Sequence, residues 1–361
     1  MKLLYITTRI DGMGGLQRVV VERLNYWATV EQHEIVLLTT NSKHEPLYFT
    51  LAPLIKHIDI TDFYTSIFQY KNKLKSVVKT ENPDVVLVSD NGLKSMLLPY
   101  FLPKELPVIY ERHVTKYATI QSTPKILQAF KIPHLMLYFL VRRYTKIVVL
   151  SNSEKPFWNH NDCVVIPNFI SFKPSLKSHL HNKRVLFVGR HSYQKGLDYL
   201  LSVWKIVEKE FPDWKLFIYG KETEEVPVRS WIQEQGLQHS VMLKEPIGAI
   251  EEAYAESSLL LMTSRYEGFG LVLAEAMSCG VPCVAFDCPT GPADCIQEGE
   301  NGFLIPCFDV ELFAGQVQKL LRDENVRLQM QDKAIRSVLK FQKEKVMHQW
   351  EKLLQDVIIK N

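Results

Sequence analysis

Short apolar runs alternate with amphipathic helical patterns along most of the chain. In its first half, six near-continuous runs rich in β-branched residues predict strands that are covered on both faces, as in a parallel sheet. These runs are residues 2–7, 34–40, 84–89, 107–111, 146–151 and 163–167. Helical patterns separate most of them, at residues 15–29, 67–80, 93–101 and 126–144. The alternation predicts a doubly wound α/β domain over residues 1–168.

The pattern stops at residues 169–183, where polar residues, a proline and several His and Lys predict a linker. It then restarts, which predicts a second doubly wound domain over residues 184–340 and a cleft between the two domains. The expected strands are 184–189, 215–220, 240–245, 258–264, 282–287 and 301–306, and the expected helices are 197–210, 228–235, 249–256, 270–279 and 309–323. The residues from 324 onward are helical by pattern, and packing of residues 341–361 back on the first domain is one option.

Composition narrows the class of protein. Of 361 residues, 46% are hydrophobic and 23% are charged, a mix typical of soluble globular proteins. A net charge of +3 is too small to indicate nucleic-acid binding, although one basic face could meet anionic lipid. The sequence opens without a signal-peptide pattern, and its densest apolar stretch near the middle, residues 134–141, is far shorter than the roughly 20 residues that span a bilayer. We expect a cytoplasmic protein without a transmembrane helix.

Cysteine spacing argues against a metal site. Five of the six cysteines lie between Cys279 and Cys307, but no pair has Cys-x-x-Cys spacing and no His lies among those five. We expect buried thiols in a reducing compartment.

Loops that follow strands are the first candidates for chemistry, because ligands of open α/β sheets bind beyond the carboxyl ends of the strands. After the first strand, Gly12, Gly14 and Gly15 precede a helix whose free N–H groups can receive an anion. The third glycine of the Gly-x-Gly-x-x-Gly fingerprint is absent, so a tight turn is an equal alternative. In the second domain, Arg190 and Lys195 offer two cations suited to a departing diphosphate, or form a solvated basic loop.

Residues 264–282, SRYEGFGLVLAEAMSCGVP, hold two glutamates. Glu267 lies in the loop after a predicted strand, where Gly268 and Gly270 free the backbone at the start of the next helix. Glu275 lies about one turn into that helix, where a carboxylate can accept two hydrogen bonds from ribose hydroxyls. A carboxylate near a helix start could instead be only a partner of the helix dipole.

Taken together and in this order, the motifs GGLQRVV, VGRHSYQKG and EGFGLVLAE resemble those of the family 4 retaining glycosyltransferases. The resemblance covers essentially the whole chain, and AMSCGVPCVAFDCPTGPADCI is similar to the family's next strand and glycine-containing loop. It implies the α/β GT-B architecture, in which two Rossmann-like doubly wound domains face each other across a cleft. The likeness is greatest to bacterial enzymes that build capsule, lipopolysaccharide or other lipid-linked surface glycans.

The resemblance also implies roles for individual residues. Arg190 and Lys195 would bind the donor diphosphate, Glu275 would hold the ribose, and Glu267 would contact the donor sugar. The implied catalytic residues are Glu267, His113, Arg190 and Lys195, and the implied donor-binding residues are Gly14, Gly15, Arg190, Lys195, Glu267, Gly268, Phe269, Gly270 and Glu275. The acceptor-side candidates are Glu111, Arg112 and His113, of which either Glu111 or His113 could stand beside the sugar. Asp294 stands where many relatives carry Glu, and its role stays open.

The implied reaction is retaining transfer of a hexose or N-acetylhexosamine from a nucleoside-diphosphate sugar, commonly a UDP-sugar, to a glycan or lipid-linked glycan. The acceptor hydroxyl would attack from the face that the diphosphate leaves, and a phosphate oxygen would take its proton. An Asp-x-Asp motif in a suitable loop is absent, so we expect transfer without a metal or another cofactor. A GT-B nucleotide-sugar epimerase and a non-catalytic nucleotide-sugar-binding protein stay open as alternatives.

Two segments of the first domain suggest a membrane partner. Residues 71–75 and 125–146 mix cations with large apolar residues, which is typical of segments that lie on an anionic membrane surface. Packing of the helical part of residues 125–146 against its own sheet with solvated cations explains that composition equally well. Peripheral association with the inner face of the cytoplasmic membrane is therefore a hypothesis, and nucleic acid is not an expected partner.

Overall fold

The computed structural model describes residues 1–63, 66–90, 93–113, 115, 139–158, 162–173 and 176–359. Contacts divide the chain into two compact units. Unit 1 comprises Met1–Ser171 with Lys343–Asn361, and unit 2 comprises Phe172–Gln342. The division falls inside the segment 169–183 that the sequence predicts as a linker, and the C-terminal helix is part of unit 1.

The described part of unit 1 contains a sheet of seven parallel strands in the order β3-β2-β1-β4-β5-β6-β7. The strands are β1 (Lys2–Thr7), β2 (Glu34–Thr39), β3 (Lys56–Asp59), β4 (Val85–Ser89), β5 (Val108–Arg112), β6 (Lys146–Val149) and β7 (Cys163–Val165). Six of them confirm the predicted runs. The sequence missed β3, because this half-exposed edge strand reads KHID and so contains no apolar run.

The described α-helices of unit 1 are α1 (Gly15–Thr29), α2 (Ile67–Glu81), α3 (Leu93–Leu97) and, after unit 2, α11 (Lys343–Ile359). Short 3-10 turns lie at Thr61–Phe63, Leu98–Phe101 and Lys155–Phe157. The helix expected over residues 93–101 is shorter than predicted, because Pro99 follows α3 and the chain continues as a 3-10 turn. The helix expected over residues 126–144 lies mostly outside the described residues.

The described part of unit 2 contains six parallel strands in the order β10-β9-β8-β11-β12-β13. They are β8 (Arg184–Val188), β9 (Lys215–Tyr219), β10 (Val241–Lys244), β11 (Leu259–Met262), β12 (Cys283–Phe286) and β13 (Gly302–Ile305). The helices are α4 (Leu197–Glu210), α5 (Val228–Gln235), α6 (Ile250–Ala255), α7 (Leu271–Ser278), α8 (Pro292–Cys295), α9 (Val310–Arg322) and α10 (Glu324–Ser337). All predicted elements of this unit are confirmed, whereas α8 was not predicted.

The strand order fixes where ligands can bind in unit 2. The order reverses between β8 and β11, so the loops after these two strands open at the same switch point on the carboxyl edge of the sheet. A buried cluster that includes Trp204, Phe286 and Phe313 packs the helices on the sheet below that edge. Within the described residues, every helix is too short or too polar to cross a lipid bilayer.

Gly196 brings the two loops together. It has φ of +63°, and a Cβ on it would lie 2.1 Å from the carbonyl oxygen of Thr263, the first residue after β11. The Thr263 hydroxyl donates a hydrogen bond to the Gly196 carbonyl at 3.0 Å. Only a residue without a side chain permits this approach.

Replacing this glycine tests the contact. Gly236 also has positive φ, +75°, but a Cβ there would meet no atom within 4 Å. We expect Gly236→Ala to destabilise unit 2 by about 1 kcal/mol through backbone strain alone. Gly196→Ala should cost about 1–3 kcal/mol more, because the methyl group overlaps Thr263. Urea unfolding of both variants measures the difference, and equal losses would contradict the close approach.

Candidate functional site

Lys195 and Glu267 meet at the switch point of unit 2. The Lys195 ammonium lies 2.6 Å from a carboxylate oxygen of Glu267, although 72 residues separate them. Hydrogen bonds hold the two loops in register, since the Arg265 backbone N–H donates to the Gln194 carbonyl at 2.8 Å and the Gln194 side-chain Nε2 donates to the Tyr266 carbonyl at 2.9 Å. Both charged side chains are largely buried, which strengthens their attraction.

A third loop, after β12, supports the segment around Glu267. The Thr290 hydroxyl donates a hydrogen bond to the Glu267 carbonyl. Gly291, with φ of +101°, approaches the Phe269 backbone so closely that a Cβ would lie 2.9 Å from it. The buried Phe269 ring packs edge-on against Phe341 at 4.9 Å. Glu267, Gly268, Phe269 and Gly270 therefore form a rigid turn that leads into α7.

Arg190 lies on the same loop as Lys195, with its side chain exposed. It lines a pocket of about 170 Å³. The other lining residues are Ser192, Gln194, Thr223, Glu225 and Tyr266. An exposed guanidinium on the same loop as a paired ammonium offers positive charge and a fork-shaped donor set, both of which suit a phosphate.

Glu275 is buried on α7 and contacts the neighbouring helix α6. The Tyr254 hydroxyl donates a hydrogen bond to its Oε2 at 2.9 Å. Burial and this carboxylate hold the pKa of Tyr254 well above its ordinary value, so the hydroxyl remains a donor. The sequence did not single out Tyr254, because it lies within an ordinary helical pattern.

The glycines predicted for the phosphate site, Gly14 and Gly15, lie in unit 1. Gly14 is the extended residue before α1, and Gly15 begins that helix. The preceding loop is held by Asp11, a buried carboxylate that the sequence analysis missed. Asp11 lies 2.9 Å from the Arg9 guanidinium and accepts a hydrogen bond from the Lys43 backbone N–H at 2.8 Å.

The structure separates the three acceptor-side candidates. Glu111 and Arg112 end β5 with buried side chains, which argues against direct contact with a ligand. Arg112 packs over the rings of Tyr110 and Trp158, with its guanidinium carbon 5.6 and 5.4 Å from their centres. His113, the first residue beyond β5, has 5% of its side chain exposed and lies 3.0 Å from Glu111.

Other predicted features are placed as follows. Asp294 lies in α8, where its carbonyl accepts a hydrogen bond from the Lys340 ammonium at 3.1 Å, and its role stays open.

Five cysteines are buried free thiols, as expected, and burial raises the pKa of Cys279 to about 12. The described residues contain no group of three or more His, Cys, Asp or Glu side chains that could hold a metal. Transfer without a metal stays a prediction.

His191 is a feature that the sequence analysis missed. It stands between Arg190 and Ser192, yet its side chain is fully buried. Neither ring nitrogen has a hydrogen-bond partner among the described residues. Burial therefore lowers the pKa of His191, because the charged imidazolium loses its hydration.

The lowered pKa makes a prediction about stability and pH. The unfolded chain takes up a proton near pH 6.5, whereas folded His191 does so only at lower pH, so stability falls as the pH drops below about 6.5. His191→Leu removes this loss. We expect the free energy of unfolding of the variant, relative to that of the parent protein, to increase when the pH is lowered from 8 to 5.5. Urea unfolding at the two pH values measures this change. A difference that is the same at both pH values would contradict the burial of a neutral ring.

Comparison with known proteins agrees with this geometry. The sequence matches the family described as Glycosyl transferases group 1 over residues 169–337. An uncharacterized glycosyltransferase of Haemophilus influenzae is 27% identical, covering 98% of this chain and 99% of that protein. The amylovoran biosynthesis glycosyltransferase AmsD of Erwinia amylovora is 28% identical, again over 98% and 99% of the two chains.

A solved structure supports the fold. HepE of Anabaena, crystallised in complex with UDP, superposes with a TM-score of 0.76 at 18% identity, covering 99% of this chain and 100% of that one. At that identity the likeness concerns the fold alone. The fold consists of two parallel-sheet, Rossmann-like units, as in GT-B proteins.

Proposed function

We propose that this chain, which has the GT-B fold and matches the group 1 glycosyltransferases over residues 169–337, is a retaining enzyme that transfers a hexose or N-acetylhexosamine from a UDP-sugar. The proposed acceptor is a glycan or lipid-linked glycan in the synthesis of a cell-surface polysaccharide. Relatives such as AmsD support this role by name, and the UDP bound to HepE supports the choice of nucleotide. Neither an epimerase nor a non-catalytic binding protein is favoured by these relatives.

One observation carries the proposal, the contact between Lys195 and Glu267 beside Arg190. In this proposal the two cations of the loop after β8 compensate the charge of the departing diphosphate, and the N-terminus of α7 adds backbone N–H groups. Glu267 fixes the position of Lys195 in advance, so little reorganisation is required when charge develops. Glu275, whose Oε2 accepts a hydrogen bond from Tyr254, would accept hydrogen bonds from the ribose.

The proposed reaction needs no protein base. The bond between the sugar C1 and the diphosphate oxygen breaks while a bond from the acceptor oxygen to C1 forms on the same face. The proton of the acceptor hydroxyl passes to the departing diphosphate. In this scheme the residues of unit 2 accelerate the transfer in two ways. They position the donor, and they stabilise the leaving diphosphate.

Calorimetric titration with UDP, GDP, ADP and NAD tests the donor site. We expect selective binding of UDP and a loss of about ten-fold to a hundred-fold in affinity for Arg190→Ala and Lys195→Ala, because each removes a charge-assisted hydrogen bond of about 1.5–3 kcal/mol. Glu275→Ala should weaken UDP and leave inorganic diphosphate unaffected. Arg322→Ala, an exposed arginine on α9, is the matched control. Parent-like binding by Arg190→Ala would refute the assignment.

We also propose that unit 1 associates with an anionic membrane surface. Phe63, in the 3-10 turn before α2, and Phe68, in the first turn of α2, expose 63% and 67% of their surface, and Ile67 is half exposed. Lys71, Lys73 and Lys75 follow on the same helix, which carries no acidic residue before its last position, Glu81. Apolar rings beside a row of cations match the chemistry of the lipid interface. Most of the second predicted segment, 125–146, lies outside the described residues.

Vesicle co-sedimentation tests this association. We expect the protein to bind phosphatidylglycerol vesicles at low salt, and Phe63→Ser/Phe68→Ser to reduce the bound fraction several-fold because the apolar insertion is lost. Leu312→Ser, which removes a half-exposed apolar side chain from unit 2, is the control. Absence of binding at low salt would remove the membrane from the proposal.

A further inference from the structure

We propose that Arg265 is a positioning residue for the donor site, because it holds the turn that presents the Lys195 ammonium to the leaving diphosphate. Arg265 lies between β11 and Glu267, and the sequence analysis gave it no role. In this proposal it acts through Lys195 rather than by touching the ligand. The inference rests on the proposed function and deepens it, since it adds a residue that controls how tightly the diphosphate is held.

The residue to be positioned, Lys195, ends a short 3-10 turn, Tyr193–Lys195, that precedes α4. Its ammonium lies 2.6 Å from Glu267. Its stem crosses the end of β8, where a Cβ on Gly189 would lie 3.3 Å from the Lys195 side chain. A lysine stem is flexible, so a fixed ammonium requires that the turn which carries it is fixed as well.

Arg265 grips this turn on both sides of Lys195. Its Nη1 donates a hydrogen bond to the Tyr193 carbonyl at 2.6 Å. Its Nη2 pairs at 2.5 Å with Oδ2 of Asp198, in the first turn of α4. The backbone N–H of Arg265 donates to the Gln194 carbonyl at 2.8 Å. One residue therefore holds the chain both before and after Lys195.

Aromatic rings fix the plane of the Arg265 guanidinium. Its carbon lies 4.0 Å from the ring centre of Tyr193 and 4.7 Å from that of Tyr199. The arginine side chain is 12% exposed, so little water competes for its hydrogen bonds. The Tyr199 ring is itself packed, since it stacks on Phe308 at 5.1 Å. Arg265 thus links its own loop rigidly to the turn.

The geometry requires an arginine rather than any cation. A planar guanidinium reaches the Tyr193 carbonyl and the Asp198 carboxylate at the same time, and it also packs against two rings. The compact ammonium of a lysine does not span both acceptors. Arg265→Lys therefore keeps the positive charge but loses the grip on both sides of the turn. It separates positioning from a direct electrostatic effect on the diphosphate.

Arg184 offers a matched control in the same unit. Its side chain is 15% exposed, pairs with the Glu256 carboxylate and packs over the Phe217 ring at 4.0 Å. It begins β8, however, and so lies at the opposite, amino edge of the sheet. We expect Arg184→Lys and Arg265→Lys to lower the Tm to a similar extent, because each weakens one partly buried ion pair.

Calorimetric titration then distinguishes the two variants. We expect Arg265→Lys to lose about ten-fold in affinity for UDP and for inorganic diphosphate, because the ammonium of Lys195 is no longer held in place. Arg184→Lys should bind both ligands like the parent. Parent-like affinities in Arg265→Lys, or equal losses in the two variants, would overturn the positioning role.

A double-mutant cycle shows whether Arg265 acts through Lys195. Lys195→Ala already removes the ammonium, so adding Arg265→Lys to it should weaken UDP binding little further. In Glu275→Ala, which removes the proposed ribose contact, the loss caused by Arg265→Lys should persist in full. Multiplicative losses with Lys195→Ala would contradict the proposal. Should Arg265→Lys fail to fold, Asp198→Asn weakens one side of the grip, and parent-like diphosphate affinity in that variant would contradict it as well.

A labelling measurement keeps the inference separate from the proposed function. If the parent binds none of the nucleotides and no inorganic diphosphate, the proposed donor site fails. Acetylation of Lys195 by acetic anhydride, followed by peptide mass spectrometry, still reports how firmly its nitrogen is held against Glu267. We expect this acetylation to be several-fold faster in Arg265→Lys than in the parent or in Arg184→Lys, because the nitrogen must leave Glu267 before it attacks. Equal rates in the parent and Arg265→Lys would refute the positioning role.

Discussion

The close approach of Gly196 to the Thr263 carbonyl is the contact on which the proposed donor site depends. It brings the loop after β8 against the loop after β11, and only then can Lys195 reach Glu267. Gly291 applies the same constraint from a third loop, because its missing side chain lets the backbone lie on that of Phe269. The charged groups are therefore placed by backbone contacts between three strand ends. This arrangement tolerates little movement and suits a reaction in which the protein mainly stabilises a leaving group.

Unit 1 achieves rigidity by a different route. Its candidate side chain, His113, lies against a buried carboxylate that is itself fixed by an arginine within an aromatic enclosure. In unit 2 the paired charges, Lys195 and Glu267, lie on loops that backbone contacts hold together. In unit 1 the pair of Arg23 and Glu111 lies in the core, where the rings of Trp27 and Trp350 pack against the guanidinium.

Much of the fold could be predicted from the sequence, because parallel strands covered on both faces are continuous apolar runs. Strand β3 could not, since an edge strand with the sequence KHID buries little. The glutamates and cations of the proposed donor site were predicted from their loops and from family resemblance. The contact between Lys195 and Glu267 could not be predicted, because 72 residues separate them and only the strand order makes them neighbours. Buried polar groups such as His191, Tyr254 and Arg23 carry no sequence signal, because their burial depends on what folds around them.

Unit 1 is discontinuous along the chain, since α11 returns to it after all of unit 2. Trp350 lies edge-on to Trp27 at 5.7 Å, so a helix that is translated after unit 2 completes a core to which α1 also belongs. During synthesis, unit 2 has its whole sequence available before unit 1 does. Until α11 emerges, the apolar rings of α1 and the Arg23 guanidinium lack a covering wall. The first unit of the nascent protein therefore stays incomplete until all of unit 2 has been translated.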